Sequence, residues 1–401
     1  MLAFSPEQQA NLDHYGGHLS TELGQSGQKK SAVTERSQQN HFVGWATKVI
    51  GLKDPCMKGK HPQAQNYLLA AYGVALVMGE TIKGTMLRKK TIARYINAAI
   101  KLMDKRGIIN PRKSADTDLV QILLDAVGRY EAVERRRNMI SDEMMLEIIT
   151  QADNADPDGL VAALADWLNL GQYTGFRLSE WGQAAAGDYE RIPHTPHAKA
   201  MIEADFVFKG PGEARLNQDD LPELKHIESV DVTWRHQKNG RNRQEITYTR
   251  NRRNPRMCGV AAALRICNRA RRLQNPAHYP MGIHRTARGN RFITGDDTAV
   301  FLRAVASKVF NLNPKNAADE YILDLYSAHS IRVRAANLLH RQGMSDSYIT
   351  NRLRWTSMAF MDYLRNTIYA ANQHNKLIDF DGNLPDMFLL TTCKESTGAG
   401  Q

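Results

Sequence analysis

A chain of 401 residues with a formal net charge of +11 is too long for one ordinary hydrophobic core and long enough for two. So basic a balance points to a polyanionic partner, nucleic acid before membrane. The four cysteines (Cys56, Cys258, Cys267, Cys393) are scattered without a CxxC pair, which argues against a disulfide framework or a cysteine zinc site and suits a reducing compartment.

Residues 1–40 are rich in Gln, Ser, Gly, Lys and Asn, with apolar residues too sparse for a core, and read as a flexible polar arm. The segment also lacks the charged-then-apolar order of a secretory signal. From 41 to 137 three stretches, "QNYLLAAYGVALVM", "TIARYINAAIKLMDKRG" and "TDLVQILLDAVGRYEAVERRR", carry apolar residues at helical spacing, and predict a small all-helical domain. The longest apolar run, "YLLAAYGVALVMG", is shorter than the roughly 18 residues of a membrane span. The expectation is a soluble, intracellular protein with no membrane partner.

A boundary is expected near 138. Ser141, followed by Asp142 and Glu143, is a candidate N-cap for a helix over "DEMMLEIITQA". Beyond it, "DGLVAALADWLNL" predicts a buried helix and "EADFVFKG" a strand. The stretch "ESVDVTWRHQKNGRNRQEITYTR" predicts a hairpin whose Asn239-Gly240 suits a tight turn. Helices are expected from Val260 to the end, with a loose tail over 386–401 and no internal repeat. The fold class is therefore mainly α with a small antiparallel β-sheet.

Around the hairpin, Arg235, Lys238, Arg241, Arg243, Arg250, Arg252, Arg253, Arg256, Arg265, Arg269, Arg271 and Arg272 face, along the sequence, only Asp231 and Glu245 as acids. So one-sided a run repels itself unless an anion sits on it, and it predicts a phosphate-binding surface. In "SAHSIRVRAANLLHRQG", Ile331, Ala335, Leu338 and Leu339 form an apolar stripe ended by Gly343, so His329 and Arg332 share one helical turn. Upstream, "YTGFRLSEW" has Gly171 and Gly175 to bend the chain and Thr174 to cap a helix presenting Arg177 and Glu180.

With Lys238 beside the hairpin turn, and Trp355 and Tyr363 in "NRLRWTSMAFMDYLRN", these segments fall in the order Arg, Lys, His-x-x-Arg, Trp, Tyr. This order resembles the tyrosine recombinase (phage-integrase-like) family. The motifs cover about residues 138–370, and the Trp-x-Ser-x-Ala-Phe pattern before the tyrosine is most similar to the Crypton and DIRS-type branch.

The resemblance implies a helical core-binding domain (41–137) and an α+β catalytic domain (138–385) that act on double-stranded DNA as a homotetramer. It also implies integration or excision of a mobile element, in a nucleus or a nucleoid according to the host. In it Tyr363 is the nucleophile, Arg177 and Arg332 clamp the scissile phosphate, Lys238 protonates the leaving oxygen, His329 and Trp355 complete the site, and Glu180 supports it. Arg235, Arg241, Arg243, Arg250, Arg252 and Arg253 would bind DNA, and no cofactor or metal is implied.

The chemistry needs such a set. A phenol with a pKa of about 10 is a poor nucleophile at neutral pH without cationic neighbours. Guanidiniums offer planar forks to non-bridging oxygens, and an arginine on a phosphoryl transition state is worth about a thousandfold or more. A flexible ammonium suits a leaving 5′ oxygen, and an indole can only donate.

Three features depart from the family pattern. Arg354 stands where a glycine often precedes the Trp, Val333 stands where many members have a histidine, and a long segment, 189–227, separates Arg177 from the hairpin. Other readings stay open. Tyr363 shares a helical face with Phe360, Leu364 and Thr367 and would serve as a buried aromatic. Tyr369 is a rival nucleophile, and His194 and His197 sit at a metal-like spacing between prolines with no third ligand nearby. A type IB topoisomerase-like relaxing enzyme and a non-catalytic DNA-binding relative are the competing functions.

Overall fold

The polar N-terminal region already contains a helix, α1 (Lys29–Lys48), which begins inside the segment expected as an arm. The structure, a computed structural model, describes residues 29–80, 87–131, 136–182, 199–237, 240, 242–355, 361 and 364. Helix α1 forms because its polar sequence carries one apolar edge. Phe42, Trp45 and Ala46 are buried, and buried Gln39 donates to the Ala98 carbonyl at 3.3 Å. That partner lies 59 residues away, so a local count of apolar residues does not reveal it.

The predicted helices follow as α2 (Pro62–Met78), α3 (Lys89–Asp104) and α5 (Leu119–Tyr130), with a single turn α4 (Pro111–Ser114) between the last two. Each start has a local cause. Pro62 takes the first position of α2, behind His61, whose ring accepts from the Gln63 amide. Asp118 accepts from the Gln121 amide at 3.1 Å and opens α5. Leu69, Tyr72, Leu76, Ile92, Ile96, Met103, Val120 and Leu124 close on Phe42 as one core. This unit spans Met1–Glu134, and a second compact unit spans Arg135–Gln401. No helix among the described residues is long and apolar enough to cross a membrane.

In the second unit Ser141 caps α6 (Asp142–Asp153), accepting from the Met144 amide at 3.2 Å. Helix α7 (Leu160–Thr174) is buried along most of its length, and it is followed by the single turn α8 (Leu178–Trp181). Helix α9 (Gly259–Arg272) packs on α7. Strands β1 (Phe206–Lys209), β2 (Ser229–Trp234) and β3 (Gln244–Thr249) form an antiparallel sheet in that order. Val230 pairs with Phe208 and Tyr248, and Val232 with Phe206 and Ile246, so one face of the sheet is apolar. That face, α7, α9 and the stacked pair Trp167–Trp181 (5.2 Å between ring centroids) share a core.

Two expectations are corrected. The hairpin does not turn at a two-residue Asn239-Gly240 loop, because the last pair is Trp234–Gln244 and residues 235–243 make the connection. Arg243, in the left-handed region at φ 62°, closes that loop by donating from its amide to the Trp234 carbonyl at 2.6 Å. Nor is the chain purely helical after Val260. A second hairpin pairs β4 (Ile283–Thr286) with β5 (Gly289–Phe292), and its strands are only four residues each, too short to show a period. Gly282 leads into it so close to α8 that a Cβ there would lie 2.3 Å from the Trp181 carbonyl oxygen.

Helices α10 (Gly295–Phe310), α11 (Ala317–Leu323), α12 (Ser330–Arg341) and α13 (Asp346–Arg352) complete the described part of the unit. Along α12, Ile331 and Ala335 are buried while Leu338 and Leu339 are half-buried.

The basic end of α9 is held by two buried carboxylates near α7. Asp166 receives Arg265 Nε at 2.6 Å and Arg269, and Asp158 receives Arg272 at 2.7 Å and Arg285. Burial alone would raise the Asp158 carboxyl. Hydrogen bonds and charge from Arg272 and Arg285 outweigh it and hold the group below its ordinary value. A depressed carboxyl contributes stability that is present above its unfolded pKa, near 3.9, and is lost as pH falls through the folded value. Asp158→Asn should therefore cost about 1–3 kcal/mol near neutrality, discounted for the half-exposed guanidiniums. The gap between the melting temperatures of wild type and variant should close on acidification below about pH 4. A gap that stays constant with pH would contradict this role for Asp158.

Candidate active site

Helix α7 ends where Gly175 enters the left-handed region at φ 55°. A side chain there would also meet Leu353, 2.9 Å from the added Cβ. This glycine, not a Thr174 cap, turns the chain toward Arg177, since the Thr174 hydroxyl donates back to the Leu170 carbonyl at 3.2 Å. Arg177 itself stands at the N-cap of α8. Its amide donates to Glu180 Oε2 at 3.0 Å and its Nη1 to Glu180 Oε1 at 2.9 Å. Glu180 is buried, so this carboxylate holds both the backbone and the side chain of Arg177. Arg177 keeps 29% of its side chain exposed.

From the other direction, α12 brings Arg332 to the same turn. Its Nη1 donates to the Gly175 carbonyl at 2.6 Å, and its guanidinium lies 4.6 Å from the centroid of the Trp355 ring, a cation–π arrangement. The indole thus meets Arg332 through its face. Trp355 is buried with Ala335, Ala336, Ile349 and Leu353. Half-buried His329 precedes α12 by one residue, and its carbonyl accepts from the Arg332 amide at 3.0 Å. Arg177, Glu180, His329, Arg332 and Trp355 are therefore linked through one turn, one carboxylate and one helix start.

Lys238, Arg241 and Tyr363 lie outside the described residues, as do Tyr369, Phe360, Thr367, His194 and His197. Of their chain neighbours, Gln237 is buried in the 235–243 connection after β2, its amide donating to Asn242 Oδ1 at 2.7 Å. Leu364 packs on the Trp355 cluster.

Two buried arginines were not singled out as site residues from the sequence. Arg354, noted there only for standing where glycine is usual, adopts φ 58°. It donates from Nη2 to Glu180 Oε2 and to the Thr174 carbonyl, both at 3.3 Å. Burial pushes its pKa below the ordinary value, against the opposing pull of Glu180 and Tyr248. Arg334 reaches Asp142 at 2.8 Å, the Ile140 carbonyl at 3.0 Å and Gln172 Oε1, joining the start of α6 to α7 and α12. The signal available for Arg354 was the missing glycine; Arg334 offered none.

The basic surface differs from its sequence picture. Arg235 makes a bidentate pair with Asp205 (2.8 and 3.2 Å), Arg252 pairs with Glu228, Arg256 with Asp153 at 2.6 Å, and Arg271 with Glu203. Arg250 donates to the Leu224 carbonyl at 2.7 Å. Asp231, expected as a counter-charge, is occupied by Lys209 and by the Thr247 hydroxyl at 2.6 Å. The run therefore faces more acids than Asp231 and Glu245, several of them from the long segment before the hairpin. Among the described residues Arg243 and Arg253 are exposed and make no ion pair.

No family model and no curated protein matches the sequence. Solved structures do. The Tn1549 transposon integrase in complex with circular intermediate DNA is 11% identical, covering 90% of this chain and 97% of its own, at a TM-score of 0.44. The XerH site-specific recombinase bound to difH substrate is 12% identical, covering 84% and 77%, at 0.41. The XerA recombinase is 13% identical, covering 89% and 95%, at 0.34. Likeness at this level assigns no activity to the chain.

Proposed function

We propose that the chain is a site-specific DNA recombinase of the tyrosine recombinase type, acting on a mobile element of the Crypton and DIRS-like branch as a homotetramer on double-stranded DNA. The observation that carries this reading is the convergence of Arg332 on the turn that presents Arg177, through the Gly175 carbonyl, with Trp355 against the Arg332 guanidinium. Residues far apart in the chain meet at one turn, which supports reading Arg177 and Arg332 as a pair of forks for one phosphate.

In this mechanism the Tyr363 oxygen attacks phosphorus as its proton leaves to a neighbouring acceptor, for which His329 is the candidate. The bond to the 5′ oxygen breaks, and that oxygen takes a proton from Lys238. A 3′-phosphotyrosyl ester and a free 5′ hydroxyl result. Phosphoester number is conserved, so a second 5′ hydroxyl rejoins the strand without ATP. Arg177 and Arg332 stabilise the charge that builds on the equatorial oxygens. Leu364, bonded to Tyr363, packs on the Trp355 cluster, which supports Tyr363 over Tyr369. A type IB topoisomerase would use the same residues on one duplex. Its product, relaxed plasmid without strand joining between duplexes, separates the two readings.

The decisive experiment uses a nicked suicide duplex carrying the DNA that flanks the gene. Wild type should form a covalent adduct on denaturing gels, and Tyr363→Phe, which removes only the hydroxyl, should bind DNA and form none. Lys238→Ala should recover cleavage when the leaving oxygen is replaced by a bridging 5′ sulfur. An adduct persisting in Tyr363→Phe would move the nucleophile, and no adduct in wild type would favour a non-catalytic protein.

Binding should also separate Arg243 and Arg253, which make no ion pair among the described residues, from the paired arginines. Replacing Arg243 or Arg253 with Ala should flatten the slope of log K against log[salt] by about 0.9 for each phosphate that is no longer neutralised. Arg235→Ala, which leaves Asp205 without that partner, should do more to stability than to the salt slope. Equal slopes in wild type and both single variants would remove these two residues from the interface.

A further inference from the structure

We infer that Arg354 is a positioning residue for DNA cleavage, holding Glu180 so that Arg177 keeps its place and its charge for the phosphate. The inference rests on the function proposed above. Arg354 has 1% of its surface exposed, and its guanidinium stacks 3.5 Å from the centroid of the buried Trp234 ring. Nη2 is directed at Glu180 Oε2 and the Thr174 carbonyl, while Arg177 Nη1 takes the other oxygen, Oε1, at 2.9 Å. Two guanidiniums therefore grip opposite oxygens of one buried carboxylate. Arg177 keeps 29% of its side chain exposed against 1% for Arg354, and the Arg354 guanidinium is spent on Glu180, the Thr174 carbonyl and the Trp234 ring, so it works from beneath Arg177.

Charge explains why the second cation matters. Arg177 and Glu180 alone form a neutral pair, and a carboxylate drawn wholly to Arg177 opposes an incoming phosphodiester. With Arg354 sharing that carboxylate the trio carries +1.

Backbone energetics point the same way. At φ 58° a residue with a Cβ is less favourable than glycine by about 1 kcal/mol or more. A buried guanidinium adds desolvation to that strain. Glycine would fit this backbone better, so the side chain has to supply something glycine lacks, and among the described residues its contacts include Glu180, the end of α7 and Trp234.

The test is single-turnover cleavage of the suicide duplex with Arg354→Gly, Arg354→Lys, Glu180→Gln and the double variant Arg354→Gly/Glu180→Gln. Arg354→Gly should cut the rate of adduct formation by about 10- to 100-fold, with DNA affinity within about threefold of wild type and a lowered melting temperature, because the emptied space under the site costs more than glycine recovers in the backbone. Glu180→Gln should also slow cleavage, and the double variant should be no slower than the slower single, because both changes break one relay. Arg354→Lys keeps the charge, loses the fork and should fall between wild type and Arg354→Gly.

Wild-type cleavage in Arg354→Gly, or losses that multiply in the double variant, would overturn the inference while leaving the proposed function standing. If Arg354→Gly does not fold, Arg354→Lys decides by the same rate and affinity measurements. Unfolding of both would overturn the inference by making Arg354 a requirement of the fold. Absence of an adduct in wild type is the separate result that removes the proposed function and this role with it.

Discussion

The Glu180 carboxylate is the constraint on which the site depends. It is buried, it receives the Arg177 amide and Nη1, and it is met from below by Arg354. A buried carboxylate without partners would lose its charge or unfold its surroundings, so the three groups stand or fall together. The turn they define also supplies the Gly175 carbonyl to Arg332. Two arginines from distant helices are thereby set against one short stretch of backbone. The desolvation of these cations and their rotamer entropy are settled during folding, so under the proposed function little reorganisation is left for a phosphate to drive.

The long segment before the hairpin takes on a meaning it lacked as sequence. Its described part contributes β1, and the Met201 amide donates to the Glu180 carbonyl at 2.8 Å while its carbonyl accepts from Met281. Its carboxylates Asp205 and Glu203 pair with Arg235 and Arg271, and Glu228 just beyond it pairs with Arg252. Several of the described arginines around the hairpin are thus paired rather than bare. In the proposed DNA interface a phosphate would have to compete with a carboxylate already in place, and this competition favours a well-placed anion over a diffuse polyanionic field.

Much of this was legible from local sequence and the rest was not, for identifiable reasons. Ser141 with its acidic first turn marks a helix start that depends on its neighbours alone. The apolar spacing of α2, α3, α5 and α12 carries its own period. Charge pairing is a property of tertiary neighbours, so Asp158 and Asp166 gave no sign that they would gather four arginines. Helix α1 was hidden for a similar reason, its edge being defined by helix α3 through Gln39 and Ala98. Arg334, buried among Asp142, Ile140 and Gln172, reads in sequence as one more basic residue on an amphipathic helix.

Arg354 shows how a departure from a pattern can carry more information than agreement with it. A glycine at that turn satisfies the backbone and does nothing else. An arginine accepts the same left-handed backbone and fills the space under the site, lying on Trp234 and reaching Glu180. Trp234 ends β2 and pairs with Gln244 across the hairpin, and residues 235–243 leave from it. The arginine therefore ties the turn that carries Arg177 to the root of the loop that contains Lys238. Packing between those two places sets the proposed phosphate clamp against the start of the loop through side chains, where a chain with glycine at 354 would have to do so by backbone alone.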